Sequence, residues 1–242
     1  MSDISEAPKG LFLTLEGGEG TGKSSLSSTL SAKLIELGLD VTICREPGGT
    51  VLGERLRNAL FNNADRHESE KTFSSPDPRT ELLVFSAARS QLITEVIRPA
   101  LDLGKIVICD RYVDSTFAYQ HYGRGLSYEL IDEAVNLTIS GLMPSITFLL
   151  DLDPREGLRR HGIEDQVNLF GDSERMGGNN YLDFESLDFH NRVRSGYLEM
   201  AAKDQERWMV LDANLSPSEL TRLAFDRMAL YLRSNNIAHF KL

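Results

Sequence analysis

Residues Gly17 to Ser24 read GGEGTGKS, between the apolar run Leu11 to Leu15 and a helical pattern that starts at Lys23, continues to Leu37 and stops at Gly38. Gly17, Gly22, Lys23 and Ser24 meet the GxxxxGK[ST] spacing of a phosphate-binding loop, in the strand-before, helix-after context the motif requires. Glycines at Gly17, Gly18, Gly20 and Gly22 let the backbone N–H groups of the stretch, Glu19 and Thr21 included, wrap round an anion. The first helical turn, with Ser24 and Ser25, adds the positive end of its dipole. Lys23 reaches the outer phosphates of a nucleoside triphosphate, and Ser24 supplies a hydroxyl to Mg²⁺. A dinucleotide reading, GxGxxG, would use Gly18 and Gly20, but Lys23 stands where its third glycine belongs.

Working outward, four more short apolar runs follow: Val41 to Arg45, Ile106 to Cys109, Ile146 to Leu150 and Trp208 to Leu211. Continuous apolar runs, rather than alternating ones, describe strands covered on both faces. Helical patterns lie between them at Val51 to Phe61, Thr80 to Leu103, Tyr128 to Ile139, Pro154 to His161 and Leu187 to Lys203, with a last one at Pro217 to Leu232. Strand alternating with helix implies a parallel sheet built from right-handed crossovers, hence an α/β P-loop fold. We expect a tail at 1–9 and one domain over 10–242. Asn62 to Pro78 reads as a polar surface loop. Gly162 to Asn180, glycine-rich and poor in apolar residues, reads as a mobile lid within about 155–182.

The chain has 242 residues, 41% of them hydrophobic, enough for one substantial core. A formal charge of -10 argues against a nucleic-acid partner, which would demand a broad basic surface. Cys44 and Cys109 lack metal-ligand spacing and sit in or beside apolar runs, so we expect buried, reduced thiols. The start, MSDISEAPKG, does not have the pattern of a secretory leader, and no apolar run approaches the roughly 20 residues of a membrane helix. A soluble, cytoplasmic protein is expected.

The third strand runs out into Asp110, Arg111 and Tyr112. In a parallel sheet the carboxyl ends of neighbouring strands lie together, so Asp110 comes beside the metal and Arg111 offers a guanidinium to a phosphate. A base-reading NKxD motif of GTPases is absent, and position 111 lacks the Glu that would position a hydrolytic water. Phosphoryl transfer to a small bound acceptor remains.

Five segments in order, Glu16 to Ser24 (EGGEGTGKS), Arg45 to Thr50 (REPGGT), Leu83 to Arg89 (LVFSAAR), Asp110 to Gln120 (DRYVDSTFAYQ) and Asp188 to Ala201 (DFHNRVRSGYLEMA), resemble the bacterial thymidylate kinase family. The resemblance implies a five-stranded parallel sheet flanked by helices, ATP with Mg²⁺ as donor, dTMP as acceptor and a homodimer. It also implies roles. Phe85 would stack on thymine, and Arg89, four residues on and on the same helix face, would donate to a base carbonyl. Gln120 would face thymine N3, Tyr119 would wall the sugar and Ser115 would add a polar contact. Arg111 and Arg57 would hold the dTMP phosphate, Glu19 the sugar 3′-hydroxyl, and Glu46 with Pro47 the partition between the nucleotides. Ser24 and Asp110 would serve the metal.

The lid departs from the family pattern. The expected Asp-Arg pair aligns with Asn180 and Tyr181, so the catalytic lid arginine is assigned first to Arg159 or Arg160 and second to Arg175. An acceptor phosphate is largely a dianion at pH 7 and needs no general base. The work left to Lys23, Arg111, Mg²⁺ and a lid arginine is alignment and charge neutralisation. Two other readings stand beside this one: a kinase for a different acceptor, and a P-loop protein that binds nucleotide without turnover.

Overall fold

The computed structural model describes residues 10–61, 76–160 and 181–235. The expected tail, most of the polar loop after Phe61, and the 161–180 part of the expected lid, with Arg175 and Asn180, lie outside the described residues. Strands β1 (Leu11–Glu16), β2 (Val41–Arg45), β3 (Ile106–Asp110), β4 (Ile146–Asp151) and β5 (Trp208–Asp212) form one all-parallel sheet in the order β2-β3-β1-β4-β5. Four of the five run one residue past the apolar stretch. Glu16, Asp110, Asp151 and Asp212 are polar, so hydropathy stops short of them, yet the ladder holds them in register.

The chain passes from the central strand β1 to the edge strand β2, returns to β3, then crosses β1 to β4 and β5. That reversal opens a crevice at the carboxyl ends of β1 and β3, where open α/β sheets bind ligands. The pleat of β1 sends Leu11, Leu13 and Leu15 to one face and Phe12, Thr14 and Glu16 to the other, all essentially buried. The odd set packs against Leu26, Leu30 and Leu34 of α1 (Lys23–Glu36) and against Leu220, Ala224 and Met228 of α9 (Pro217–Ser234). Phe12 packs with α3 (Pro78–Leu92) and α6 (Tyr128–Ile139), and Leu149 and Trp208 on the β4–β5 side pack with α8 (Leu187–Lys203). The remaining helices are α2 (Val51–Phe61), α4 (Arg98–Asp102), α5 (Val113–Thr116) and α7 (Pro154–Arg160).

Three departures from the sequence expectation have physical causes. The helix expected from Thr80 begins at Pro78, because the Asp77 side chain accepts from the Arg79 N–H (2.9 Å) and proline fits a first helical position. Its far end is interrupted. Pro99 has no N–H to continue the α ladder, and a π turn at Ile93–Ile97, with the Arg98 N–H reaching the Ile93 carbonyl, carries α3 into α4. Thirdly, α5 and the π-helical segment Phe117–Gly123 that continues it were not expected. Their Val, Thr, Phe and Tyr content favours strands, and their side chains pack against β3 and α8 without a helical stripe.

Candidate functional site

The phosphate loop takes its shape from backbone that only glycine accepts readily. Gly17 has φ +138°, and a Cβ there would lie 2.5 Å from the Leu150 carbonyl oxygen. Gly20 has φ +66°, and a Cβ there would lie 2.1 Å from that of Gly157 in α7. The loop therefore packs backbone to backbone on both β4 and α7. Lys23 is buried and folds over the loop, its Nζ donating to Gly18 O (2.7 Å), Gly17 O (3.1 Å) and Thr21 Oγ1 (3.3 Å). Burial, reinforced by Arg111, pulls the Lys23 ammonium down to about 8 against the pull of Glu19, Asp110 and Glu16. Such a cation is improved by an incoming polyanion. The Ser24 hydroxyl donates to Asp110 Oδ2 (2.8 Å), uniting two hard oxygen ligands at the loop's end.

Arg111 lies beside the loop with φ +68°, unusual for a side chain larger than glycine. That turn lets its N–H donate to Leu15 O (3.0 Å) while its guanidinium donates to Gly17 O (2.9 Å) and Glu19 Oε1 (2.9 Å). Tyr119 donates its hydroxyl to the same Glu19 oxygen (2.6 Å), and the Arg111 guanidinium lies over the Tyr119 ring. Burial alone would raise the Glu19 carboxyl. Arg111 and then Lys23 more than offset it and hold the group at about 2, so Glu19 is an anion throughout the physiological range. Underneath, Glu16 at the end of β1 accepts from the Tyr112 N–H (2.8 Å), Ser115 Oγ (2.6 Å) and Tyr197 OH (2.9 Å), which fixes the start of α5. Burial and the nearby Asp114 raise its pKa to about 7.

Further along the same crevice is a second, drier region. Arg89, 2% exposed, forms an ion pair with Glu46 (2.7 Å) and donates to Thr116 Oγ1 (2.6 Å) and Tyr112 O (3.3 Å). Its Nη1 is buried and has no hydrogen-bond partner among the described residues. The Glu46–Pro47 peptide is cis. Phe85 packs 6.1 Å from Phe61, which in turn lies 5.7 Å from Tyr181, so aromatic rings form one wall. Arg57 lies over Phe61 and donates to Pro47 O (3.2 Å). Burial and then Arg45 lower its proton affinity, a cost that an anion would relieve.

Both regions open into one cleft of about 520 Å³, a size suited to small-molecule ligands. It brings together Gly20, Thr21, Gly22, Lys23, Ser24 and Ser25 of the loop with Asp110, Arg111, Ser115, Tyr119 and Gln120. Glu19, Glu46, Pro47, Arg57, Phe85 and Arg89 complete the group named from the sequence. Gly17 and Gly18 shape the loop from behind, against β4. Of the two described arginines proposed for the lid's catalytic role, Arg160 lines the cleft, donating to Ala213 O (2.9 Å) and Asn214 Oδ1 (3.1 Å). Arg159 is not among the lining residues and pairs with Glu156 (2.7 Å), as does Arg160 (2.8 Å). Arg45, Phe61, Thr116 and Leu182 also line the cleft and were not anticipated. Among the described residues no cluster of three His, Cys, Asp or Glu side chains could hold a metal alone. The Ser24–Asp110 pair suits Mg²⁺, which takes few protein oxygens and completes its shell with phosphates and water. Cys44 and Cys109 are free, buried thiols paired across β2 and β3. Among the described residues no helix is long and apolar enough to cross a membrane.

A sequence model described as thymidylate kinase matches residues 15–223. The chain is 43% identical over 212 residues to a thymidylate kinase of Deinococcus radiodurans, covering 88% of this chain and 93% of that one. It is 42% identical over 226 residues to a thymidylate kinase of Dehalococcoides mccartyi, covering 93% and 99%. Its backbone superimposes on the crystal structure of thymidylate kinase from Ehrlichia chaffeensis with a TM-score of 0.67 at 32% identity, covering 91% of this chain and 99% of that one. A phosphate loop, an arginine-lined cleft and a five-stranded parallel sheet thus coincide with matches along most of the sequence, and the chain belongs to the thymidylate kinase family.

Proposed function

We propose that this chain transfers the γ-phosphoryl group of ATP to dTMP, forming dTDP and ADP for DNA precursor supply. The observation that carries the acceptor half is Arg89, a buried cation on the cleft wall whose Nη1 has no hydrogen-bond partner among the described residues. A buried donor left unmatched is costly, and a pyrimidine carbonyl would satisfy it. In this reading Phe85 stacks on the thymine, Gln120 meets N3, Tyr119 and Ser115 border the sugar, and Glu19 accepts from its 3′-hydroxyl. Arg57 and Arg111 hold the acceptor phosphate, and Glu46 with Pro47 separates the two nucleotides. The loop from Gly17 to Ser25 binds the ATP phosphates, with Lys23 against the outer ones.

Ser24 and Asp110 would hold Mg²⁺, which would supply positive charge to the ATP phosphates. The chain's own residues then align the two nucleotides and suppress their repulsion. No residue need remove a proton, because the acceptor phosphate arrives largely as a dianion. Arg160, on the cleft rim, and Arg159 are the described candidates for neutralising charge on the transferring group. The chain acts as a single kinase domain and as a cytoplasmic homodimer. ADP release measured with dTMP, dUMP, dGMP, dCMP and dAMP tests the reading. A strong preference for dTMP, lost in Arg111→Ala, supports it. Turnover of another acceptor in preference, or ATP binding without turnover, overturns it.

A further inference from the structure

We propose that Glu81 is a positioning residue that holds the Gln120 amide with its oxygen toward the acceptor base, so that the cleft selects a base carrying hydrogen on its ring nitrogen. This rests on the reading of Gln120 as a dTMP contact, and nothing else so far gives Glu81 a role. Glu81 lies in the first turns of α3 and is wholly buried. Its carboxylate collects donors only. Gln120 Nε2 reaches Oε1 at 2.6 Å, Arg124 reaches both oxygens at 3.3 and 3.2 Å, and the Tyr181 hydroxyl reaches Oε2 at 2.5 Å. Arg124 is itself held by Glu185 at 2.6 Å.

A carboxamide is nearly symmetric in shape, and a free glutamine side chain presents either its oxygen or its NH₂ at little cost. An ionised carboxylate accepts and cannot donate, so the face of Gln120 turned to Glu81 is the NH₂ face. Gln120 is 1% exposed and lines the cleft, which leaves its oxygen as the atom it can present to a ligand. That oxygen accepts from the N3–H of thymine or uracil. It faces a lone pair on the N3 of cytosine, and two acceptors against one another in a dry site are repulsive. Arg89 would read the neighbouring carbonyl separately, so Glu81 governs only the N3 share of discrimination and has no bearing on dTMP against dUMP.

The test is kcat/KM for dTMP, dUMP and dCMP at saturating ATP in the wild type, Glu81→Gln, Gln120→Ala and the double variant. In Glu81→Gln the introduced amide keeps its oxygen on the Oε2 side, where the Tyr181 hydroxyl (2.5 Å) and Arg124 Nη2 (3.2 Å) donate more closely than Arg124 Nε (3.3 Å) does on the other, and turns its NH₂ to Gln120, whose own amide then inverts. Activity with dTMP and dUMP is expected to fall together by about 10- to 100-fold, with dCMP held or improved, as for a buried polar mismatch. The dTMP-to-dCMP ratio falls by that factor while the KM for ATP stays put, and in the Gln120→Ala background the same change leaves the ratio alone. Should Glu81→Gln not fold, Glu81→Asp keeps the charge for Arg124 but withdraws it from Gln120, and the ratio must fall there too.

An equal loss for all three acceptors, an unchanged ratio, or an effect that survives removal of Gln120 overturns the role of Glu81. Wild-type protein that does not phosphorylate dTMP overturns instead the functional reading on which it rests.

Discussion

Replacing Gly157 with alanine sets two opposed effects against each other. Gly157 lies in α7, where alanine is the better helix former by about 1 kcal/mol. Its added Cβ, however, would lie 2.3 Å from the Glu19 carbonyl oxygen in the phosphate loop. Reaching even a tight 3.0 Å contact needs about 0.7 Å of separation between two backbones, and neither is a flexible side chain that can step aside. Overpacking of this kind costs roughly 1–3 kcal/mol, so the clash wins over helix propensity. For a chain of this size Tm should fall by about 2–4 °C for each kcal/mol lost. The displaced element is the loop that carries Lys23, and misplacement near 1 Å in a phosphoryl-transfer site lowers turnover by about 100-fold. We therefore expect Gly157→Ala to reduce kcat/KM for ATP by one to two orders of magnitude, with a lower Tm by calorimetry. A raised Tm with unchanged kcat/KM would refute the reasoning, since it would mean that propensity acts alone and the backbones do not touch.

Three other outcomes follow from the same geometry. Lys23 titrates at about 8 without ligand, and a polyanion returns it toward its ordinary value above 10. ATP binding should therefore take up a proton fraction at pH 8 and none from Lys23 at pH 6.5. Calorimetry in buffers of different ionisation enthalpy reads this directly, and no uptake at pH 8 would contradict it. Glu46→Ala strands the Arg89 guanidinium in a buried setting and should cost about 3–5 kcal/mol in urea unfolding, whereas breaking an exposed pair such as Lys203–Glu199 should leave the urea midpoint essentially unchanged. Arg111→Ala and Arg111→Gly should lose phosphate-dependent activity alike, by roughly 100- to 1000-fold. The glycine variant should be the more stable by about 1–2 kcal/mol, because φ +68° strains alanine and not glycine.

The residues legible in the sequence are those whose chemistry is contiguous. The loop from Gly17 to Ser24 declares itself through spacing, and Asp110 with Arg111 through its place at the end of an apolar strand. Glu81 was invisible for the opposite reason. One acid in the first turns of an amphipathic helix reads as a solvated group that complements the dipole, and only the tertiary arrival of Gln120, Arg124 and Tyr181 makes it a buried acceptor. Glu16 escaped the strand assignment because hydropathy ends at Leu15. The helical turns from Val113 to Gly123 were hidden by residues that locally prefer strands, and packing against α8 overrides that preference. Phe61 and Leu182 join the cleft from ends of elements that sequence spacing alone leaves unrelated.

Glu16 and Gly17 are consecutive in the chain and lie behind the cleft, yet they brace different walls of it. Through its carboxylate Glu16 holds the turn that carries Arg111 and Ser115, and from its own α-carbon Gly17 starts the loop that folds under Lys23. One peptide unit therefore spans the junction between the phosphate loop and the wall that starts at Arg111. The alignment of the two walls at their root inherits the stiffness of a covalent plane instead of the softness of a packed interface.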